Sequence, residues 1–385
     1  MKSSFYCITL FIFFACNHSK STSNSDALPS LEISLDTVVI DPGKEFLFLN
    51  SNLSLSTLSE DKKYLYNINS KEYTIEQINL NTLAFEKKYR LEKEGPNEVG
   101  HSIHTFSLIN EDKLFISTFY NDGVFNWQGE KLESLGIKEI GISLGQLKEG
   151  DRPYKTVSIA SDGSKFASLI HNFEDNKRSF ILIEPANNTI KELPIPVIEK
   201  AKDFDIMLVE ERPLAIVGPQ RYLNIEQGKV ILGTEASSEL YVLDKDADSL
   251  RHITFNSRLI PNEKSGTYPP EVSSKNQFIT YALKIQKDIS YKAPVWDDKR
   301  KVYYRFSFQY IFDENNIPKE KRLFPRPIGA TVYLSVLDKD FNLVAEGAVP
   351  QLDRTPSFHF AKDGKLWLFE NIEDEMGFVR LDISW

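Results

Sequence analysis

A chain of 385 residues with 41% hydrophobic and 12% aromatic content can bury a large core, and at this length either two domains or a repeat architecture is expected. Its net charge of −9 excludes the broad basic surface that a polyanionic nucleic acid demands. Both cysteines, Cys7 and Cys16, fall in the first sixteen residues. The remaining body therefore has no structural disulfide, no cysteine-ligated zinc or iron–sulfur cluster and no cysteine nucleophile.

Lys2 precedes an apolar run over residues 5–15, the length of a signal-peptide core. A mature membrane-spanning helix needs about 20 residues, so this run reads as an export signal. Residues 17–25 are polar and turn-prone, with too little apolar surface to fold. Small Ala15 before Cys16 resembles the cleavage site of a bacterial lipoprotein leader, with Phe13 where that family usually has Leu. The resemblance implies cleavage before Cys16 and acylation, palmitate included, of the new N-terminus. An uncut anchor or ordinary signal cleavage is the competing reading. The expected division is a signal peptide at 1–15, a flexible tether at 16–30 and a folded body at 31–385.

In that body a polar turn followed by an aromatic or β-branched strand recurs six times, at 60–66, 111–116, 161–167, 226–232, 297–304 and 362–368. Pairs such as Asp363-Gly364 tolerate the positive φ of tight hairpins, so each copy reads as a hairpin. A second hairpin follows in five units, at 78–82, 125–129, 183–188, 243–248 and 337–342. Two hairpins make a four-stranded antiparallel meander, and six such units predict an all-β, six-bladed β-propeller. The sixth unit ends at Trp385 before its fourth strand. Residues 31–40 alternate apolar and polar at the strand period. They are expected to supply that strand, close the ring and cover an open edge.

Two insertions interrupt the spacing. Residues 271–289 carry Phe278, Ala282, Ile285 and Ile289 at helical intervals, with Ser273 or Ser274 as caps, which predicts one short helical insertion. Residues 313–329, with Pro318, Pro325, Pro327, Lys319, Lys321, Arg322 and Arg326, read as an exposed basic loop. A seventh blade, or a small separate domain around 197–290, also accommodates the pattern.

Chemical candidates are sparse. Asp244, Asp246 and Asp248 have calcium-loop spacing, but Ser249 and Phe255 stand where the loop needs its glycine and bidentate glutamate, so the stretch reads as a hairpin and no metal is expected. His101 and His104 lie three apart after the first unit and are candidate ligand-binding or acid–base residues; surface or structural histidines are the plainer reading. Along the strand 302–310, Arg305 stands on a face with Tyr303, Ser307 and Gln309. It either points into a central channel to read an anionic or polyhydroxylated ligand or pairs with an acid of the adjacent blade. Arg354, in the last crossing, completes the candidate set. Trp127, Trp296 and Trp367 suit either a sugar-stacking platform or the core. Walker and His-Glu-x-x-His motifs are absent from the sequence, which disfavours a phosphate-loop or zinc-helix enzyme.

The segment Glu94-Gly95-Pro96-Asn97-Glu98-Val99-Gly100, with Asp298-Lys299-Arg300-Lys301-Val302-Tyr303-Tyr304-Arg305 and the leader, resembles a group of exported six-bladed propeller lipoproteins from Bacteroidota, domain of unknown function 4221. The resemblance implies an envelope lipoprotein with a propeller body, and it carries no catalytic residues with it. The first acid after Cys16 is Asp26, which favours an outer-membrane position facing the periplasm over surface display. The expected function is non-enzymatic binding or scaffolding of a protein, peptide or glycan, without a cofactor. The competing class is a propeller hydrolase, lyase or oxidoreductase with loop-borne active residues.

Overall fold

The computed structural model describes residues 28–118, 121–172, 174–211, 213–244, 249–313, 323–324 and 326–385. Cys7, Cys16 and most of the expected tether lie outside these residues, as do Asp246, Asp248, residues 314–322 and Pro325.

Strand β1 (Glu32–Val39) precedes the first sheet, formed by β2 (Ser56–Leu58), β3 (Tyr64–Asn69), β4 (Thr74–Asn79) and β5 (Ala84–Arg90). The second sheet contains β6 (Thr105–Leu108), β7 (Lys113–Ser117), β8 (Asp122–Asn126) and β9 (Lys131–Ser134). Helix α1 (Ile137–Ser143) leads to the third, with β10 (Asp151–Ser158), β11 (Phe166–Asn172), β12 (Arg178–Glu184) and β13 (Thr189–Leu193). After α2 (Pro196–Lys200), β14 (Ile206–Val209) and β15 (Pro213–Val217) comes the fourth: β16 (Arg221–Glu226), β17 (Lys229–Thr234), β18 (Leu240–Asp244) and β19 (Arg251–Ile253). Strand β20 (Glu271–Val272) and α3 (Lys275–Lys287) precede the fifth sheet, β21 (Ser290–Tyr291), β22 (Val295–Asp297), β23 (Val302–Ile311), β24 (Gly329–Leu337) and β25 (Leu343–Ala348). The sixth combines β26 (His359–Lys362), β27 (Lys365–Ile372) and β28 (Glu375–Ser384) with β1.

The fold is all-β, and its antiparallel meanders coincide with the six repeat units. Strand β1 lies beside β28 from Glu32 opposite Ser384 to Val39 opposite Gly377, the position expected for residues 31–40. The turns follow the local chemistry. Asp363 and Gly364 both have positive φ, 56° and 84°, as a two-residue hairpin with the right-handed strand twist requires.

Strand periodicity distributes the core. On β7, Leu114 and Ile116 face one way into an apolar cluster with the first sheet, while Phe115 faces the other way against the third. Ile231 and Val230 on β17 divide in the same manner, toward the fifth and third sheets. Further clusters join the fifth sheet to the sixth, through Phe306 and Leu366, and the sixth to the first, through Trp367 and Leu65. The middle strands are thus buried on both faces, and β5 at a margin is half exposed.

Three differences from the sequence expectation stand out. Among the described residues there are three α-helices rather than one helical insertion. Helix α1 starts at Gly136 in the left-handed region without a side-chain cap of its own, and α2 starts at Pro196, so neither carries a strong capping signal. Helix α3 does begin after Ser274, whose side chain makes no capping bond. The third difference is an additional mixed sheet, β15-β14-β20, whose β14 and β20 run parallel and pack with Phe278 and Ala282 of α3. The fourth sheet lies between its parts in sequence. No helix among the described residues is long and apolar enough to cross a membrane.

Candidate functional site

Antiparallel order puts the first and third turns of each sheet at one end, and the second turn and the crossing to the next sheet at the other. The first-turn end is tied together. Asn110 Nδ2 donates to the Ser161 carbonyl (2.7 Å) between the second and third sheets. Lys299 Nζ donates to the Asp363 carbonyl (3.3 Å) between the fifth and sixth. Lys62, from the first sheet, donates to the Trp296 carbonyl of β22 (2.6 Å), and the Trp296 N–H donates to Glu226 Oε2 of β16 (3.1 Å). Burial raises the Glu226 carboxyl to about 7 despite the nearby Lys62. The longer connections, 91–104, 135–150, 194–220, 254–289 and 349–358, all belong to the opposite, crossing end.

Three of the four sequence candidates lie on crossings or beside them. His101 is exposed, while His104 is half-buried, with Nδ1 3.1 Å from Thr105 Oγ1. Arg354 is exposed, its nearest carboxylates being Asp353 and Glu370, each at 3.9 Å. Arg305 is different, only 1% exposed. Its Nε donates to the Lys292 carbonyl (2.8 Å), Nη2 to Tyr222 Oη (2.8 Å) and the Ser237 carbonyl (3.1 Å), and Nη1 to the Ser238 carbonyl. Its guanidinium also lies over the Tyr291 and Phe255 rings. Arg305 thus joins the fourth and fifth sheets through carbonyls and a hydroxyl.

The tryptophans are dispersed: Trp127 packs on Tyr66 and Tyr89, Trp296 on Tyr303, and Trp367 on Phe360 and Phe378. Asp244 is paired with Lys229 at 2.5 Å. No group of three or more His, Cys, Asp or Glu that could hold a metal occurs among the described residues.

A charged cluster that the sequence did not suggest sits at the crossing end of the third and fourth sheets. Asp205, on the crossing, is buried. Arg221 at the start of β16 grips both its oxygens, at 2.7 and 2.9 Å, and Asn176 Nδ2 adds a bond to Oδ2 (3.1 Å). Arg178 at the start of β12 reaches the same Oδ2 only at 3.4 Å. Its Nη1 instead donates to Asn176 Oδ1 (2.7 Å) and the Asn176 carbonyl (3.1 Å). The His171 ring, 2.9 Å from Asn176 Oδ1 through Nε2, is held neutral-favouring by burial and by Arg178. Glycine at 218 is required here, since a Cβ would lie 1.9 Å from Asp205 Oδ1. Beside the cluster is an open cavity of about 200 Å³ lined by Asn176, Lys177, Arg178, Ile198, Glu199 and Lys202. Sequence reasoning missed it because its groups come from three separated segments.

A second polar feature lies on β10, where the register shifts between Pro153 and Lys155. Such a bulge re-aims side chains. Burial lowers the Lys155 amine, and burial followed by the Lys155 charge lowers His104.

A family model described as "Domain of unknown function (DUF4221)" matches residues 29–348. The crystal structure of a member of that family from Bacteroides vulgatus superposes with a TM-score of 0.64, covering 93% of this chain and 99% of that one at 16% identity. A second crystal structure, from Bacteroides fragilis, gives 0.50 over 94% and 97% at 11% identity. No curated protein sequence matches. At these identities the structural likeness bears on the fold alone, whereas the family match spans most of the sequence: the chain belongs to the DUF4221 family.

Proposed function

We propose that the six sheets are blades of a six-bladed β-propeller, closed by β1 and tethered to the cell envelope by a lipid on Cys16. In this reading the protein is a non-enzymatic binding or scaffolding module that meets a protein, peptide or glycan at its crossing end. Ring closure is supported by the apolar cluster between the sixth and first sheets. It is supported too by Trp296 of the fifth, which is held by Lys62 of the first and Glu226 of the fourth.

The observation that carries the functional reading is the inequality of the two ends. Both ends carry sheet-to-sheet hydrogen bonds, but the crossing end alone has the long connections between sheets, the mixed sheet and the charged cavity. Segments that carry binding groups are typically connections held on a rigid scaffold. Non-enzymatic action is favoured over catalysis because the Arg305 fork is fully engaged by carbonyls and the Tyr222 hydroxyl that join two sheets.

Glycan and peptide arrays probed with the full-length chain, followed by hydrogen exchange with any hit, test the proposal. Protection is expected in the crossings 91–104, 135–150, 194–220 or 349–358. Protection confined to turns such as 59–63 and 298–301, or turnover of the bound ligand, overturns it.

A further inference from the structure

We infer that the cavity at Arg178 is an oxyanion-binding subsite, taking the carboxylate or phosphate group of a small or terminal ligand moiety. The inference rests on reading the crossing end as the binding end. It begins with a charge imbalance. Both oxygens of Asp205 are engaged by Arg221, and Oδ2 also accepts from Asn176. Asp205 is therefore satisfied before Arg178 is counted, and Arg178 approaches it only at 3.4 Å.

Arg178 is the surplus cation. Its side chain is 10% exposed, and the two Asn176 oxygens that accept from Nη1, like the neighbouring Tyr154 hydroxyl, are neutral. A buried guanidinium without a full counter-charge carries a desolvation cost that an incoming anion offsets. Asn176 fixes Nη1 and is itself held by His171 and Asp205, so the planar fork is already oriented before any ligand arrives.

The cavity wall adds to this charge. Lys177 and Lys202 stand with Arg178 against the single acid Glu199. Lys177 is shared with Glu192 at 3.6 Å, whereas Lys202 makes no ion pair among the described residues. At about 200 Å³ the cavity is below the usual range for a whole drug-sized ligand, and it fits one acidic group of a larger molecule or a small acid. Ile198 supplies an apolar wall.

Isothermal titration of the full-length chain at low ionic strength with inorganic phosphate, succinate and glucuronate, and with glucose as the neutral comparison, tests the inference. At least one anion is expected to bind with one-to-one stoichiometry and to lose at least tenfold in affinity in the double variant Lys177→Glu, Lys202→Glu. Both lysines are exposed, so that variant should retain the wild-type circular dichroism spectrum. Preference for phosphate over the two carboxylates, or the reverse, assigns the source of the oxyanion. Absence of binding by all three anions, or equal binding by wild type and variant, overturns the subsite. If an array ligand still protects other crossings in either case, the subsite fails while the binding-end reading stands.

Discussion

Arg305 shows how much one buried side chain can join. It is the one charged residue of its strand, so its polarity was legible in the sequence as an anomaly. Its partners were not, because carbonyls of 237, 238 and 292 and the Tyr222 hydroxyl leave no trace in residue type. The structure replaces both sequence readings, ligand contact and acid pairing, with a seam between two sheets. Lysine cannot reproduce the planar fork, so Arg305→Lys should cost on the order of 3 kcal/mol, read as a lower denaturant midpoint. An unchanged midpoint would refute this role.

Two half-buried titrating groups at the residue scale act in opposite directions. Glu226 rises from 4.5 to about 7, so the folded chain keeps a proton that the unfolded chain has lost, and stability falls as pH climbs between these values. His359 drops from 6.5 to about 4, chiefly by burial and further by Lys292, so its contribution rises with pH over that interval. Each is on the order of 3 kcal/mol, and they largely offset one another in the wild type. Relative to wild type, Glu226→Gln should gain stability from pH 4.5 to 7 and His359→Gln should lose it from pH 4 to 6.5. Denaturant titrations across that range check both signs, and parallel curves for all three proteins would refute the assignment.

Among elements, hairpins were the most legible, because a polar turn between apolar strands is written locally. The six first turns and the position of β1 follow directly from that pattern. What escaped was short or non-local: neither α1 nor α2 is capped by its own N-cap residue, α1 taking its cap from the distant Asp122 carboxylate, and β20 is two residues long and pairs parallel with a distant strand. The cavity cluster escaped for the same reason, since residues 171–178, 205 and 221 are united only by folding. Strand β1 provides the element-scale prediction. Asp36 accepts from Arg380 Nε and Nη2, both at 2.7 Å, and from Lys365 Nζ (3.1 Å), and those partners hold its carboxyl at about 2. Asp36→Asn should cost about 1 kcal/mol near neutral pH, an effect that vanishes as pH falls through about 2. Deleting residues through 40 should expose the edge of β28 and produce aggregation, visible by light scattering. A monomeric deletion product with the wild-type melting temperature would remove β1 from the account of stability.

For the whole molecule, the proposed lipid and the closing strand are linked. Native mass spectrometry should find an acylated Cys16 at the N-terminus, and Cys16→Ser should move the protein out of the membrane fraction. An unmodified N-terminus elsewhere, or unchanged fractionation, would defeat the anchor. The chain joins the body at the rim between two sheets, where Leu31 lies against Gly347 and Gln351 Nε2 donates to the Ile33 carbonyl (3.2 Å).

That junction has a mechanical meaning. If the N-terminus is fixed and a ligand pulls on the body, the load enters at Glu32 and passes through the ladder between β1 and β28. Tension along the strand shares force among its eight paired positions. Tension across the strand peels them one after another, until the ion cluster at Asp36 resists. The same strand that finishes the sixth sheet would therefore set the force at which the anchored protein begins to open.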